Sequence, residues 1–465
     1  MNTVITRSTE AEAGVGLSGL RLIADNYDAF AARLLAARSA KHSLDLMYYL
    51  WHDDQSGRLL AEEVVKAAER GVRVRMLIDD INSRSSDAGY LELDSHPNIE
   101  LRLFNPTRAR NGSFIRKLEL AVRLVAMSRR MHTKAWIVDG NIALVGGRNI
   151  GDAYFDAAET NFRDLDILLV GAAVAQTAEI FQAFWDSELA APVRELHSNP
   201  GRQISVSGSR VDSEVNRRLL SQVGKWQSLS DFVAANEIHW MENVRVISDP
   251  PDKVLGRSRR TWLIKELMPA IHASQQSLEI VSPYFIPGRT GVSILSALVK
   301  RGVDVEIVTN SLAATDVAIV HGSYANYRAG LLKTGVKLFE LQPFGRRRRI
   351  SVFGSKGASL HTKAFTVDGA VGFVGSFNFD PRSVSLNAEM GVMFEDEHLV
   401  AELRLLFQQE KSLQSSYRVF LREGKLCWEG EADGKVHQYI HEPEASMSRR
   451  IVSGIVGHLP LESQL

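Results

Sequence analysis

The sequence predicts an α/β protein of two tandem lobes, each a mixed β-sheet flanked by helices. A pseudo-twofold axis is expected to relate the lobes, with one active site at their interface. Three observations carry this expectation. Strand-like apolar runs alternate with helical stretches along the chain. The same series of segments occurs twice. The most similar pair, His132-Thr133-Lys134-Ala135 and His361-Thr362-Lys363-Ala364, places titratable groups where a strand would bury apolar ones.

Taken in order, Leu20-Arg21-Leu22-Ile23-Ala24-Asp25 recurs as Val244-Arg245-Val246-Ile247-Ser248-Asp249. Ser43-Leu44-Asp45-Leu46 recurs as Ser277-Leu278-Glu279-Ile280. A helical stretch follows each, ending in Arg70-Gly71-Val72-Arg73-Val74 or Arg301-Gly302-Val303-Asp304-Val305. The glycine suits a helix C-cap and the alternating valines start the next strand. These matches set one lobe at residues 19–190 and the other at 243–410. Residues 1–18 form an N-terminal extension and 191–242 a linker. Residues 411–465 form a C-terminal unit, with a hairpin over Val419–Trp428 and Lys435–Ile440 and a short helix over Ser446–Val456.

Composition limits the function classes. At 465 residues the chain exceeds the usual limit of one core. Lys+Arg and Asp+Glu are equal at 55 each, so no global basic field points to nucleic acid, and anion binding must come from local clusters. Cys427 is the sole cysteine, which excludes an internal disulfide and a cysteine-rich metal site. No His-x-x-His occurs, and the one Glu-x-x-His, Glu395 to His398, has no counterpart in the first repeat; neither metal nor cofactor is expected. Met1 to Gly19 lacks a secretory pattern, and no run approaches the ~18 apolar residues of a membrane span.

The repeated segment reads as a strand running into a two-residue Asp139-Gly140 turn, with Asp368-Gly369 its copy. Side chains two apart share a strand face, so His132 and Lys134 point together. Asp139 lies seven residues from His132 and reads as a turn residue although it belongs to the repeated motif. A two-residue turn sets Lys134 opposite Val145, His132 opposite Gly147 and Ser376 opposite His361, and brings Asn149 and Asn378 back toward the histidines. Downstream, Phe162-Arg163-Asp164-Leu165 aligns with Asn387-Ala388-Glu389-Met390. Asp164 and Glu389 each begin an apolar strand where a neighbouring strand could present His132 or His361, and either carboxylate would orient an imidazole. One His-x-Lys proves nothing. The motif twice, in matched surroundings, supplies two imidazoles, two ammonium groups and two amides, a set suited to metal-free phosphodiester exchange.

Both copies match the His-x-Lys-x4-Asp motif of the phospholipase D superfamily, and the resemblance covers nearly the whole chain. The runs Gly146-Gly147-Arg148-Asn149-Ile150-Gly151-Asp152, Ser282-Pro283-Tyr284-Phe285-Ile286-Pro287, Thr309-Asn310-Ser311 to Tyr327-Arg328, and Leu459-Pro460-Leu461-Glu462-Ser463-Gln464-Leu465 resemble bacterial cardiolipin synthases of the branch called type C. That resemblance implies a phosphatidyltransferase making cardiolipin through a phosphohistidine. Phosphatidylglycerol is the implied acceptor, and the type C branch is associated with phosphatidylethanolamine as donor. It implies His132 as nucleophile and His361 as general acid, roles that near-identical copies could exchange. Lys134, Lys363, Asn149 and Asn378 would hold the phosphoryl oxygens, Asp164 and Glu389 would buttress the histidines, and Asp139 and Asp368 complete the motif's catalytic set. A hydrolysing phospholipase D, and a nuclease or other phosphodiesterase on the same scaffold, stay open as alternatives.

Asp316, His321, Tyr324 and Arg328 follow a strand end, where α/β sheets often bind ligands, and join Arg148 and Tyr284 as substrate-binding candidates. Tyr48, Tyr49 and Trp51 suit core or substrate wall equally. A basic insertion precedes each catalytic strand. Arg116 and Lys117 open the first, and Arg346, Arg347, Arg348 and Arg349 form the second. These segments suit docking of the active-site mouth onto anionic lipid as well as they suit a solvated basic edge. With the resemblance, they set the expected place as peripheral on a bacterial inner membrane.

Overall fold

The computed structural model describes residues 16–81, 87–106, 129–196, 214–235, 237–343 and 358–456. The strands of the first half are β1 (Ser18–Ile23), β2 (Ser43–Tyr48), β3 (Arg73–Asp79), β4 (Ile99–Phe104), β5 (Ala135–Val138), β6 (Ile142–Gly146), β7 (Asn161–Arg163), β8 (Asp166–Gly171), β9 (Ala190–Pro192) and β10 (His239–Met241). Those of the second are β11 (Val244–Ser248), β12 (Ser277–Val281), β13 (Asp304–Asn310), β14 (Lys337–Leu341), β15 (Ala358–Leu360), β16 (Ala364–Val367), β17 (Val371–Gly375), β18 (Met390–Glu395), β19 (Ser416–Arg422), β20 (Lys425–Ala432) and β21 (Lys435–Tyr439).

Each half builds its own mixed sheet. The order β1-β8-β6-β5-β2-β3-β4 in the first equals β11-β18-β17-β16-β12-β13-β14 in the second. In both, the last three strands of that series are parallel and the others antiparallel. A parallel pair needs a crossover, supplied by the helices Gln55–Glu69 and Gly288–Lys300. Gly71 and Gly302 end these crossovers, each at φ 93°, a left-handed position that glycine takes without strain.

The edges differ. β10 and β9 flank the first sheet, so both ends of the segment read as a linker belong to that lobe. At the other end of the chain, the expected hairpin is a three-stranded meander, β19-β20-β21, that continues the second sheet from β14. The helix Met447–Val456 follows it.

The faces on which the lobes meet are apolar. One buried cluster takes Met47, Leu77, Ile137 and Ile167 from the first sheet and Val281, Val308, Val374 and Val392 from the second. A shared core fixes the lobes as one unit, which a site assembled from both requires.

The β5–β6 hairpin corrects the expected register. Val138 pairs with Ile142 and Ala135 with Val145, one residue away from a two-residue turn. Asp139 and Gly140 both take positive φ, 52° and 65°, and Asn141 is the extra residue of the loop. The second copy repeats this, with Val367 opposite Val371 and Asp368 at φ 53°. His132 to Lys134 also precede the strand rather than lie on it, because β5 begins at Ala135.

Candidate active site

The site is made by a crossed arrangement of the two lobes. β7 pairs in parallel with β15, so the chain leading to Asp164 lies beside the chain leading to His361. By the same symmetry Met131 bridges to Ala388, beside Glu389. The amides of His361 and Thr362 donate to the Arg163 carbonyl, and that of His132 donates to the Ala388 carbonyl. Each histidine is therefore fixed against the other lobe's acid. The Nδ1 of His132 lies 2.7 Å from Oε2 of Glu389, and the Nδ1 of His361 bonds Oδ2 of Asp164. A carboxylate on Nδ1 sets the proton there and leaves Nε2 with its lone pair.

Lys134 and Lys363 complete the two half-sites. Each is 1 % exposed, and each ammonium donates to the carbonyl of its own motif's histidine, Lys134 at 2.7 Å. Burial lowers the Lys134 ammonium to about 7 and the Lys363 ammonium to about 8, against the pull of carboxylates from both lobes. Burial lowers His132 to about 4, with Glu389 opposing and both lysines adding to the fall. His361 falls for the same reasons, opposed by Asp164. Burial pushes Asp164 and Glu389 upward, but their histidine and lysine neighbours outweigh it and hold both carboxylates below their usual range. The set is thus two neutral imidazoles on two ionised acids, each side acting on the other. Lys363 acts on His132 and Lys134 on His361, so the two half-sites lie within electrostatic reach of each other.

The environment of the acids breaks the symmetry. Glu389 also accepts hydrogen bonds from Ser376 Oγ at 2.5 Å and Ser383 Oγ at 2.9 Å. Beside Asp164 stands Gly147, where a Cβ would lie 2.2 Å from Oδ1. The shorter acid thus stands beside a glycine, and the longer acid beside a serine that bonds it. Ser383 was missed from sequence as a site residue. The legible signal was the mismatch of Ser376 with Gly147 beside the mismatch of Glu389 with Asp164.

Other sequence candidates divide. Asp139 and Asp368, read with the catalytic set, are corrected to structural roles. Asp139 accepts from the amides of Lys41, His42 and Ser43, and Asp368 from those of Gln275, Gln276 and Ser277, so each ties its hairpin to the start of the adjacent strand. Asp139→Ala is expected to cost about 1–3 kcal/mol of stability, from three backbone donors losing their acceptor, while kcat stays within about twofold. Urea unfolding together with turnover checks this.

Arg148 is also corrected. It is fully buried and donates to the carbonyls of Ile23, Ala24 and Asp164, so it holds the Asp164 backbone and offers nothing to substrate. Asn149 donates to the Tyr154 hydroxyl at 2.8 Å, and the Tyr154 ring packs edge-on to His361. Asn378 is buried, and its backbone N–H donates to Ser383 Oγ. Tyr49 lies against the His132 ring and under the Lys134 ammonium, whereas Tyr48 and Trp51 are core. Tyr284 donates to the exposed Asp316 carboxylate at 2.7 Å, and Asp316 acts on Lys363, placing both beside the site.

His321 and Tyr324 belong elsewhere, a correction to their reading as pocket residues. They lie on the buried face of the helix Ala318–Lys333, beside a network where Arg328 bonds both Glu340 and Glu442. The ligand atoms of His321, Glu340 and Glu442 lie within 4.8 Å of one another, yet the Arg328 guanidinium bridges both acids and Trp428 donates to Glu340, so the group fits an ion-pair network better than a cation site. Arg116, Lys117, Arg346, Arg347, Arg348 and Arg349 lie outside the described residues.

Two duplicated lobes that share one pair of acid-bound histidines define an enzyme of the phospholipase D type, a phosphatidyltransferase resembling cardiolipin synthases. The family described as "Cardiolipin synthase, PLD-like domain" matches residues 34–185 and 267–411, and the chain belongs to it. Cardiolipin synthase C of Escherichia coli (strain K12) is 38% identical over 458 residues, covering 96% of each chain. An uncharacterized protein of Helicobacter pylori (strain J99) is 30% identical over 437 residues, covering 93% of this chain and 86% of its own. The crystal structure of phosphatidylserine synthase from Haemophilus influenzae superposes with a TM-score of 0.62 at 14% identity, over 97% of this chain and 96% of that one, and so shares the fold.

Proposed function

We propose that the protein makes cardiolipin by transferring a phosphatidyl group to phosphatidylglycerol, with phosphatidylethanolamine as donor, through a phosphohistidine on His132. The observation that carries this reading is the crossed pairing of His132 with Glu389 and His361 with Asp164. This supports a site in which one Nε2 from each lobe serves a single phosphorus, because each Nδ1 is held by the other lobe's acid.

In the first step the His132 Nε2 lone pair forms the N–P bond. The P–O bond to the donor head group breaks, and the departing alkoxide takes a proton from His361 Nε2. In the second step a phosphatidylglycerol hydroxyl gives its proton to His361 and attacks phosphorus, and the N–P bond breaks. The bound phosphodiester adds negative charge that favours protonated Lys134, Lys363 and His361, offsetting the desolvation that depresses them. Glu389 divides its negative charge among two serine hydroxyls and His132, whereas Asp164 divides its charge between His361 and the Leu165 amide. That supports His132 as the neutral nucleophile and leaves His361, on the less hydrogen-bonded Asp164, as the proton carrier.

Among the described residues no helix is long and apolar enough to cross a membrane. We place lipid contact in the two basic insertions, Arg116-Lys117 and Arg346 to Arg349, with the protein peripheral on the inner membrane. The test is purified protein with labelled phosphatidylglycerol vesicles, with and without phosphatidylethanolamine, scoring cardiolipin and released head group. Ethanolamine released with cardiolipin supports the full reading. Glycerol alone reassigns the donor, phosphatidic acid alone makes the enzyme a hydrolase, and no lipid turnover overturns the reading.

A further inference from the structure

The last residues of two equivalent strands meet the catalytic histidines from behind. Asp79 ends β3 and Asn310 ends β13. Oδ2 of Asp79 accepts from the amide of Met131 at 2.8 Å, and Oδ1 of Asn310 accepts from the amide of Leu360 at 2.9 Å. Asn310 also donates to the Leu360 carbonyl at 3.0 Å. Met131 and Leu360 are the residues immediately before His132 and His361.

The neighbours change with them. Arg130 lies 3.4 Å from Asp79, and the equivalent Ser359 lies 3.4 Å from Asn310. A buried Arg–Asp pair in one half is thus a Ser–Asn pair in the other, with the same backbone grip. We propose that Asp79 and Asn310 are matched positioning residues that fix the two histidines, and that the carboxylate at one and the amide at the other make the half-sites electrostatically unequal. This rests on His132 and His361 being the reacting pair.

Burial pushes the Asp79 carboxyl up to about 7, opposed by Arg130 and by the Met131 and Ile81 amides; Asp80 and Lys134 are the other charged groups beside it, with the neutral Tyr49 phenol. Those acting on Lys134 are Glu389, Lys363, Asp164 and Asp79, and the Tyr49 ring lies 5.2 Å from its ammonium. Asp79 favours the protonated form of Lys134, so its removal lowers the pH at which that ammonium loses its proton.

The test compares Asp79→Ala, Asp79→Asn, the double variant Arg130→Ser/Asp79→Asn and Asn310→Ala with the parent enzyme. All are assayed for kcat, KM and the pH profile of kcat/KM on phosphatidylglycerol-containing vesicles. Loss of the grip in Asp79→Ala or Asn310→Ala is expected to lower kcat by about 10- to 100-fold at nearly constant KM, as for a reacting group displaced by up to an ångström. Asp79→Asn and the double variant, which copy the other half, are expected to recover kcat to within about fivefold of the parent. In Asp79→Asn the basic limb should move to lower pH, and in the double variant the loss of the Arg130 cation should offset part of that shift. Asp79→Asn no better than Asp79→Ala, or alanine variants at parental kcat, overturns the positioning role; an unmoved basic limb in Asp79→Asn overturns the electrostatic one. A His132→Ala control that keeps full turnover would instead remove the underlying site reading.

Discussion

Replacing His132 with alanine is expected to lower phospholipid turnover by about 10⁴-fold or more, with the fold unchanged. The variant loses the atom that forms the bond to phosphorus, and no other described side chain takes its place between Lys134 and the Glu389 carboxylate. Truncation also leaves a buried carboxylate without its imidazole. Ser376 and Ser383 still donate to Glu389, so the stability cost should stay within a few kcal/mol. His361→Ala should be similarly inactive toward lipids, yet differ in kind. With an activated donor whose leaving group needs no proton, His361→Ala should accumulate a phosphorylated enzyme, whereas His132→Ala should not. Acid-labile label retained on the protein after a rapid quench is the measurement. Label on both variants, or turnover near the parent level in His132→Ala, would reject the assignment of roles.

The second large effect comes from the crossed acids. Asp164→Asn and Glu389→Gln keep the shapes but remove the charge that orients each Nδ1 proton, and losses of about 10²- to 10⁴-fold in kcat are expected. The pH dependence gives the assignment its edge. Burial already depresses both histidines, and the acids oppose that fall. Without Asp164 the His361 imidazolium becomes harder to form, so the optimum of Asp164→Asn should move to lower pH, where the proton for the leaving group is still available. Glu389→Gln lowers an imidazole that already stays neutral down to about 4, so its profile should drop in height with little lateral movement. The decisive point is which histidine responds. Asp164 lies in the lobe of His132 but bonds His361. If Asp164→Asn instead shifted the titration of His132, followed by NMR of the imidazole protons, the crossed arrangement would be wrong.

Much of the fold was legible because duplication writes the same physical solution twice. The glycines at 71 and 302, the valine runs after them and the Asp-Gly turns each carry a local conformational requirement that sequence exposes directly. The hairpin register did not follow, because two left-handed residues and one bulged residue suit the same Asp-Gly-Asn letters as a two-residue turn. The motif aspartates were readable as turn residues by their distance along the chain. Their acceptor role toward residues 41–43 and 275–277 was not, since it joins segments about ninety residues apart. Arg148 shows the opposite failure. An arginine inside a family-like run suggests a ligand contact, yet burial against three carbonyls makes it a brace.

That two equivalent halves each bring a histidine, a lysine and an acid can be read from residue identity and spacing, which are local and repeated. Which acid serves which histidine is set by the fold. That choice depends on β7 lying beside β15 and Met131 beside Ala388, contacts made across the lobe interface. Spacing along one chain is blind to such contacts, because either partner lies at the same register in its own repeat. The packing of one sheet's apolar face on the other selects between them.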